Sequence, residues 1–131
     1  MPYLALNGER AYYALHRNGA DGVPVLLIHG AGENHLAWPS DLRRLPGTVV
    51  HAIDLPGHGK STGIGCRTIA DYAAWVVSFL EALRISAAVF IGHSMGGAIA
   101  QQLALTQPAR TARVRGLRLL ALCLVQLVDH R

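Results

Sequence analysis

The sequence has 131 residues, of which 51% are apolar and 15% are charged, with a formal net charge of +4. A chain of this length and apolar content is expected to fold as one domain and not to be disordered. Basic and acidic side chains balance over residues 1–107, so the final 24 residues hold the whole excess of positive charge. These residues lack the interleaved aromatic side chains that stack on nucleic-acid bases. We therefore expect no nucleic-acid partner.

The predicted elements begin with an antiparallel hairpin and continue as alternating strands and helices. Two short apolar runs, Tyr3 to Leu6 and Ala11 to His16, flank Asn7-Gly8, which is a strong two-residue hairpin signal. The later predicted elements are strand Val23 to Ile28, helix Trp38 to Leu45, strand Val49 to Ile53, helix Ile69 to Leu83, strand Ala87 to Ile91, helix Met95 to Thr106 and strand Val114 to Leu122. Such alternation predicts an α/β fold, a mostly parallel sheet between two layers of helices.

The helix predicted from Ile69 to Leu83 has the clearest signals. Thr68 and Asp71 resemble a capping box at its start. Apolar residues then recur at the three- and four-residue spacing that places them on one face. We expect that face to pack against the sheet.

The segment between the predicted strand Ala87 to Ile91 and the helix that follows it has the pattern G-x-S-x-G, in Gly92-His93-Ser94-Met95-Gly96. In a tight strand-to-helix turn only small residues fit two positions on either side of the serine, and Gly92 and Gly96 provide that space. The turn would expose the Ser94 hydroxyl and place the Met95 amide at a helix N-terminus, where it could donate to an oxyanion. The alternative is a glycine-rich turn that serves packing or phosphate binding.

A second loop follows the strand from Val23 to Ile28 and has the sequence His29-Gly30-Ala31-Gly32. The second oxyanion donor of a G-x-S-x-G site is expected from this position, and the Ala31 amide is the best candidate. We interpret His29 as a residue that packs and orders the loop, since no carboxylate is placed to orient it for catalysis.

Three motifs together, HGAG at 29–32, DLPGHGKS at 54–61 and GHSMGG at 92–97, resemble the N-terminal half of the alpha/beta-hydrolase superfamily in its esterase, lactonase and C–C hydrolase branch. The resemblance covers roughly residues 3 to 121. It implies Ser94 as the nucleophile, Ala31 and Met95 as oxyanion donors, a small-molecule ester or acyl substrate, and no cofactor or metal. In that family the DLPGHGKS loop is structural, so Asp54, His58 and Ser61 are not carried over as catalytic.

The partners that would activate the serine are hard to find. This fold places an acid and then a histidine after the nucleophile, and the sequence after Ser94 offers only Asp129 and His130. They are adjacent, and neighbouring side chains of an extended segment point in opposite directions. Either they form the triad, or, as we expect, they belong to a frayed terminus and the chain is catalytically incomplete.

The tail, residues 109–131, departs from the family pattern, because relatives continue with a cap, further strands and a covering helix. We therefore predict a single, incomplete domain over residues 1–131, produced by truncation or by a change of reading frame. The sixth strand of such a sheet would be an unpaired edge, which favours self-association.

Other classes of protein fit the sequence less well. The Gly59-Lys60-Ser61 segment lacks the earlier glycine of a phosphate-binding loop, so a nucleotide-binding protein is the weaker alternative and a non-catalytic fragment or interaction module the stronger one. Cys66 and Cys123 have neither metal nor disulfide spacing. No secretory signal begins at Met1, and no apolar run reaches the roughly 18 residues of a membrane span. We expect a cytoplasmic protein with no membrane partner.

Overall fold

A computed structural model describes residues 2–107 and 119–120 of the chain. Its elements are β1 (Tyr3–Leu6), β2 (Glu9–Arg17), β3 (Val23–Ile28), a short 3-10 helix (His35–Ala37), α1 (Ser40–Arg43), β4 (Thr48–Ile53), α2 (Ile69–Ala82), β5 (Val89–Gly92), α3 (Met95–Thr106) and β6 (Leu119–Leu120). The first five predicted strands are therefore present; β1 and β3 have the predicted limits, and those of β2, β4 and β5 differ from them by one or two residues. The predicted strand from Val114 to Leu122 lies outside the described residues except for β6.

The strands form one mixed sheet in the order β1-β2-β4-β3-β5-β6. The pairs β4–β3, β3–β5 and β5–β6 are parallel, whereas β1–β2 and β2–β4 are antiparallel. This confirms the mostly parallel sheet with an N-terminal antiparallel hairpin. Because the parallel strands end at the same edge, the loops after β3, β4 and β5 meet there.

The hairpin turn has the backbone that its sequence predicts. Asn7 and Gly8 both have positive φ, 53° and 78°, as a two-residue turn with the twist of the flanking strands requires. The turn sets the register in which Leu6 pairs with Glu9 and Tyr3 with Tyr12.

Two apolar clusters lie on opposite faces of the sheet and give the fold three layers. The larger cluster joins the sheet to α2 and α3 and includes fully buried Phe79, Phe90 and Leu103. The smaller cluster lies on the other face and includes Trp38 and Val25, and Leu42 of α1 packs against it. Burial of these side chains at about 1.5–3 kcal/mol each is the main force that holds the layers together.

The helix predicted from Trp38 to Leu45 is shorter than predicted at both ends. The structure has a 3-10 turn that ends at Ala37 and a four-residue α1 that starts at Ser40. Trp38 is extended, with φ −91° and ψ 133°, because the proline ring at Pro39 disfavours a helical residue before it. The indole can therefore turn into the smaller cluster.

Helix α2 begins and ends close to its prediction. The Thr68 hydroxyl accepts a hydrogen bond from the Asp71 amide at 3.0 Å, so Thr68 is the N-cap. Tyr72, Val76 and Phe79 are among its buried residues, which confirms the apolar face. Within residues 2–107 and 119–120, no helix has the length and apolarity that would let it cross a bilayer.

Candidate functional site

The predicted turn between β5 and α3 is present, and Ser94 lies at its apex. Gly92 is the last residue of β5 and Met95 the first residue of α3. Ser94 between them has φ 56° and ψ −119°, a conformation that costs a residue with a side chain of the order of 1–3 kcal/mol. Such strain at a half-buried serine is typical of a functional turn.

Two glycines allow the turn to close. A Cβ on Gly92 would overlap the carbonyl group of Gly96, and a Cβ on Gly96 would overlap the Ile28 carbonyl oxygen at the end of β3. The backbone of the turn therefore lies directly against β3. Both positions are buried, so a side chain has no space to move into.

Two backbone amides near Ser94 have no acceptor among the residues that the structure describes. Neither the Ala31 nor the Met95 amide makes a hydrogen bond within the part of the chain that the structure describes. The preceding amide, Gly30 N–H, donates instead to Glu33 Oε1 at 2.7 Å. The loop is close to the serine, since a Cβ built on Gly30 would lie 3.1 Å from the Ser94 Cβ.

A carboxylate and an imidazole that the sequence analysis did not connect meet beside the serine. His93 Nδ1 lies 3.1 Å from Glu33 Oε1, the same oxygen that accepts from Gly30. Both side chains are about one-third exposed. The available signal was positional: Glu33 follows β3 and His93 follows β5, and these neighbouring parallel strands bring their C-terminal loops together.

His29 joins two of the three loops. Its side chain is fully buried; Nδ1 is 2.7 Å from the Gly30 carbonyl oxygen, and Nε2 accepts from the Leu55 amide at 3.0 Å. Burial lowers the pKa of His29 below its ordinary value, which keeps the imidazole neutral. Both ring nitrogens are thus engaged, and the nearby His58 is also engaged, with Nδ1 3.0 Å from the Pro56 carbonyl oxygen.

The loop after β4 is built around a buried carboxylate. Asp54 accepts hydrogen bonds from the His35 amide at 2.7 Å and the Lys60 amide at 2.8 Å, and its Oδ2 lies 2.9 Å from His35 Nδ1. Ser61 donates to the Asp54 carbonyl oxygen and accepts from the Tyr12 amide. These bonds fasten the loop to the hairpin and to the 3-10 turn. The His35–Asp54 pair was not predicted from the sequence.

No base is hydrogen-bonded to the Ser94 hydroxyl within residues 2–107. Its Oγ makes no hydrogen bond to any residue of that range. Asp129 and His130, the candidate triad partners, lie outside the described residues. Over the same described ranges, no three His, Cys, Asp or Glu side chains are grouped in a way that could hold a metal ion.

Comparison with known proteins gives one family. The sequence model of the family described as alpha/beta hydrolase fold matches residues 23–124. A dihydrolipoyllysine-residue acetyltransferase component of an acetoin cleaving system from Cupriavidus necator is 40% identical over 114 residues, which are 86% of this chain and 30% of that protein. A pimeloyl-(acyl-carrier protein) methyl ester esterase from Pectobacterium carotovorum is 37% identical over 97 residues, which are 73% of this chain and 36% of the esterase.

Solved structures give the same result. The enol-lactonase from Burkholderia xenovorans superposes with a TM-score of 0.75 at 28% identity, over 83% of this chain and 43% of the lactonase. An N-acyl homoserine lactone degrading enzyme superposes with a TM-score of 0.70 at 34% identity, over 83% of this chain and 42% of that enzyme. The chain thus spans about a third of the length of the curated relatives and roughly two-fifths of the length of these structures.

Proposed function

Because the chain belongs to the alpha/beta hydrolase fold family, we propose that Ser94 is a nucleophile and that carboxylic esters or related acyl compounds are the substrate class. The observation that carries the proposal is the backbone of Ser94, with φ 56° and ψ −119° at a strand-to-helix junction. Strain of this kind persists only where the surrounding structure holds it, here two glycines with no room for a Cβ.

The proposed chemistry is acyl transfer. Ser94 Oγ attacks the substrate carbonyl carbon, and its proton passes to a base as the new C–O bond forms. The Ala31 and Met95 amides hold the oxyanion; the alcohol then leaves with a proton, and an acyl-serine remains. Water hydrolyses that ester, which releases the acid and restores the hydroxyl. Each amide donor is worth roughly 10²–10³ in rate at such sites.

The described residues supply only part of this machinery. Since no imidazole bonds to Ser94 Oγ within residues 2–107, we propose that this chain hydrolyses esters several orders of magnitude more slowly than a complete triad. An oxyanion hole without a full triad still gives about 10³–10⁴-fold acceleration over water. The ester and lactone substrates named for relatives support the substrate class.

Labelling by a fluorophosphonate probe tests the nucleophile, because the rate at which a serine reacts rises with the activation that its surroundings provide. We expect slow, stoichiometric labelling that Ser94→Ala abolishes. Ser86→Ala, which removes an exposed serine just before β5, is the matched control and should label as the wild type does. Equal labelling of the Ser94→Ala variant, or none of the wild type over hours, would instead favour a non-catalytic interaction module.

Hydrolysis of p-nitrophenyl acetate gives a second readout. A burst of p-nitrophenolate equal to the protein concentration, followed by slow turnover, is expected if acylation precedes a slower deacylation. The Ser94→Ala variant should show no burst. Identical progress curves for the two proteins would show that Ser94 takes no part.

A further inference from the structure

The loop after β3 and the turn after β5 share one acceptor atom. Glu33 Oε1 receives the Gly30 amide at 2.7 Å and lies 3.1 Å from His93 Nδ1. Gly30 and His93 are far apart in sequence but belong to the two segments that hold the candidate oxyanion amides, Ala31 and Met95. A single carboxylate oxygen therefore links the two segments.

The loop geometry around Glu33 explains why one amide is free and its neighbour is not. The Glu33 amide donates to the Gly30 carbonyl oxygen at 3.1 Å, which closes a four-residue turn. Gly32, with φ +75°, occupies the position of that turn that favours glycine. Within this turn the Gly30 amide points at the Glu33 carboxylate, and the Ala31 amide is left without a partner in residues 2–107.

The carboxylate form of Glu33 is the form that the surroundings favour. Burial by itself raises the pKa of Glu33, but the hydrogen bonds from His93 and Gly30 lower it by more, so the net shift is downward. At neutral pH the side chain is then an acceptor only. It can hold both N–H donors at once.

We propose that Glu33 is a positioning residue, whose Oε1 ties the loop after β3 to the turn after β5 and so selects the Ala31 amide to face the Ser94 hydroxyl. This rests on the proposed role of Ser94 and deepens it. Loss of the tie would let the Gly30–Ala31 peptide rotate, and misplacement of a catalytic group by about 1 Å can cost of the order of 10²-fold in rate.

Amide hydrogen exchange tests the tie without any catalysis. In the full chain, observed by NMR, we expect the Gly30 amide to exchange at least tenfold more slowly than Ala31, its neighbour and internal control. Glu33→Ala should remove this protection, and Glu33→Gln, which keeps an acceptor oxygen, should retain it. A Gly30 amide that exchanges as fast as Ala31 in the wild type would overturn the proposal, whatever the reactivity of Ser94.

Labelling rates test the consequence for the site. We expect Glu33→Ala to slow fluorophosphonate labelling of Ser94 by tenfold or more. The labelling rate of Glu33→Gln should stay within about threefold of the wild-type rate. The control is Asp41→Ala, which removes an exposed acid on α1 and should leave the labelling rate unchanged. Labelling of Glu33→Ala at the wild-type rate, or of Glu33→Gln as slowly as Glu33→Ala, would refute the tie through a shared acceptor. If Ser94 is unreactive in every protein, the proposed function fails while the exchange experiment still decides the role of Glu33.

Discussion

Replacement of Asp54 by alanine should destabilise this protein more than any surface change. The side chain is fully buried. Its carboxylate accepts from two backbone amides, those of His35 and Lys60, at 2.7 and 2.8 Å, and pairs with the His35 imidazole at 2.9 Å. Asp54→Ala would leave these donors in a site that water reaches poorly.

The size of the effect follows from those three partners. A buried donor left unsatisfied costs about 1–3 kcal/mol, and removal of one member of a buried pair costs about 3–5 kcal/mol. Because the partners are neighbours, these costs overlap and do not add, so we expect the free energy of unfolding to fall by about 3–5 kcal/mol. That is a large part of the roughly 5–15 kcal/mol typical of a domain.

Urea unfolding followed by far-ultraviolet circular dichroism at pH 7 measures this loss. Asp41→Ala, an exposed acid on α1, is the control and should cost no more than about 0.5 kcal/mol. Asp54→Asn keeps one acceptor oxygen, so its loss of stability should lie between those of Asp41→Ala and Asp54→Ala. If Asp54→Ala does not fold, Asp54→Asn provides the measurable loss. If the free energies of unfolding of Asp54→Ala and Asp41→Ala differ by no more than about 0.5 kcal/mol, the buried carboxylate does not stabilise the fold and the reasoning is wrong.

Three further predictions concern stability. Gly96→Ala places a Cβ against a carbonyl of β3 and should cost about 2 kcal/mol or more; an unchanged urea midpoint would contradict the tight turn. Thr68→Ala removes the N-cap of α2 and should cost about 1 kcal/mol, measured in the same way. Burial lowers the pKa of His29 and His51 below the ordinary value of 6.5. As the pH falls, these side chains therefore take up protons in the unfolded chain before they do in the folded protein. The free energy of unfolding should be highest above about pH 6.5 and should decline below it. Equal urea midpoints at pH 7.5 and 5.5 would argue against this.

Some features of the site could be predicted only in part. The G-x-S-x-G segment predicts the bend at Ser94 because the glycine spacing is a local steric requirement. The place of Ala31 after a strand predicts its amide as the oxyanion donor, and the structure adds why the Gly30 amide is not available: it donates a hydrogen bond to Glu33 Oε1. That competition depends on a side-chain direction that no sequence pattern encodes.

The sequence alone determined the order of strands and helices, the hairpin at Asn7-Gly8, the cap at Thr68 and the sharp turn at Ser94. Each of these depends on residues within a few positions of one another, so local sterics and periodicity are sufficient. Only the tertiary structure decided that Glu33 meets His93, 60 positions away, and that His35 meets Asp54, 19 positions away. Such pairs form because parallel strands bring their C-terminal loops to one edge of the sheet. The order of the strands decides which loops are neighbours, and that order depends on the packing of the whole core.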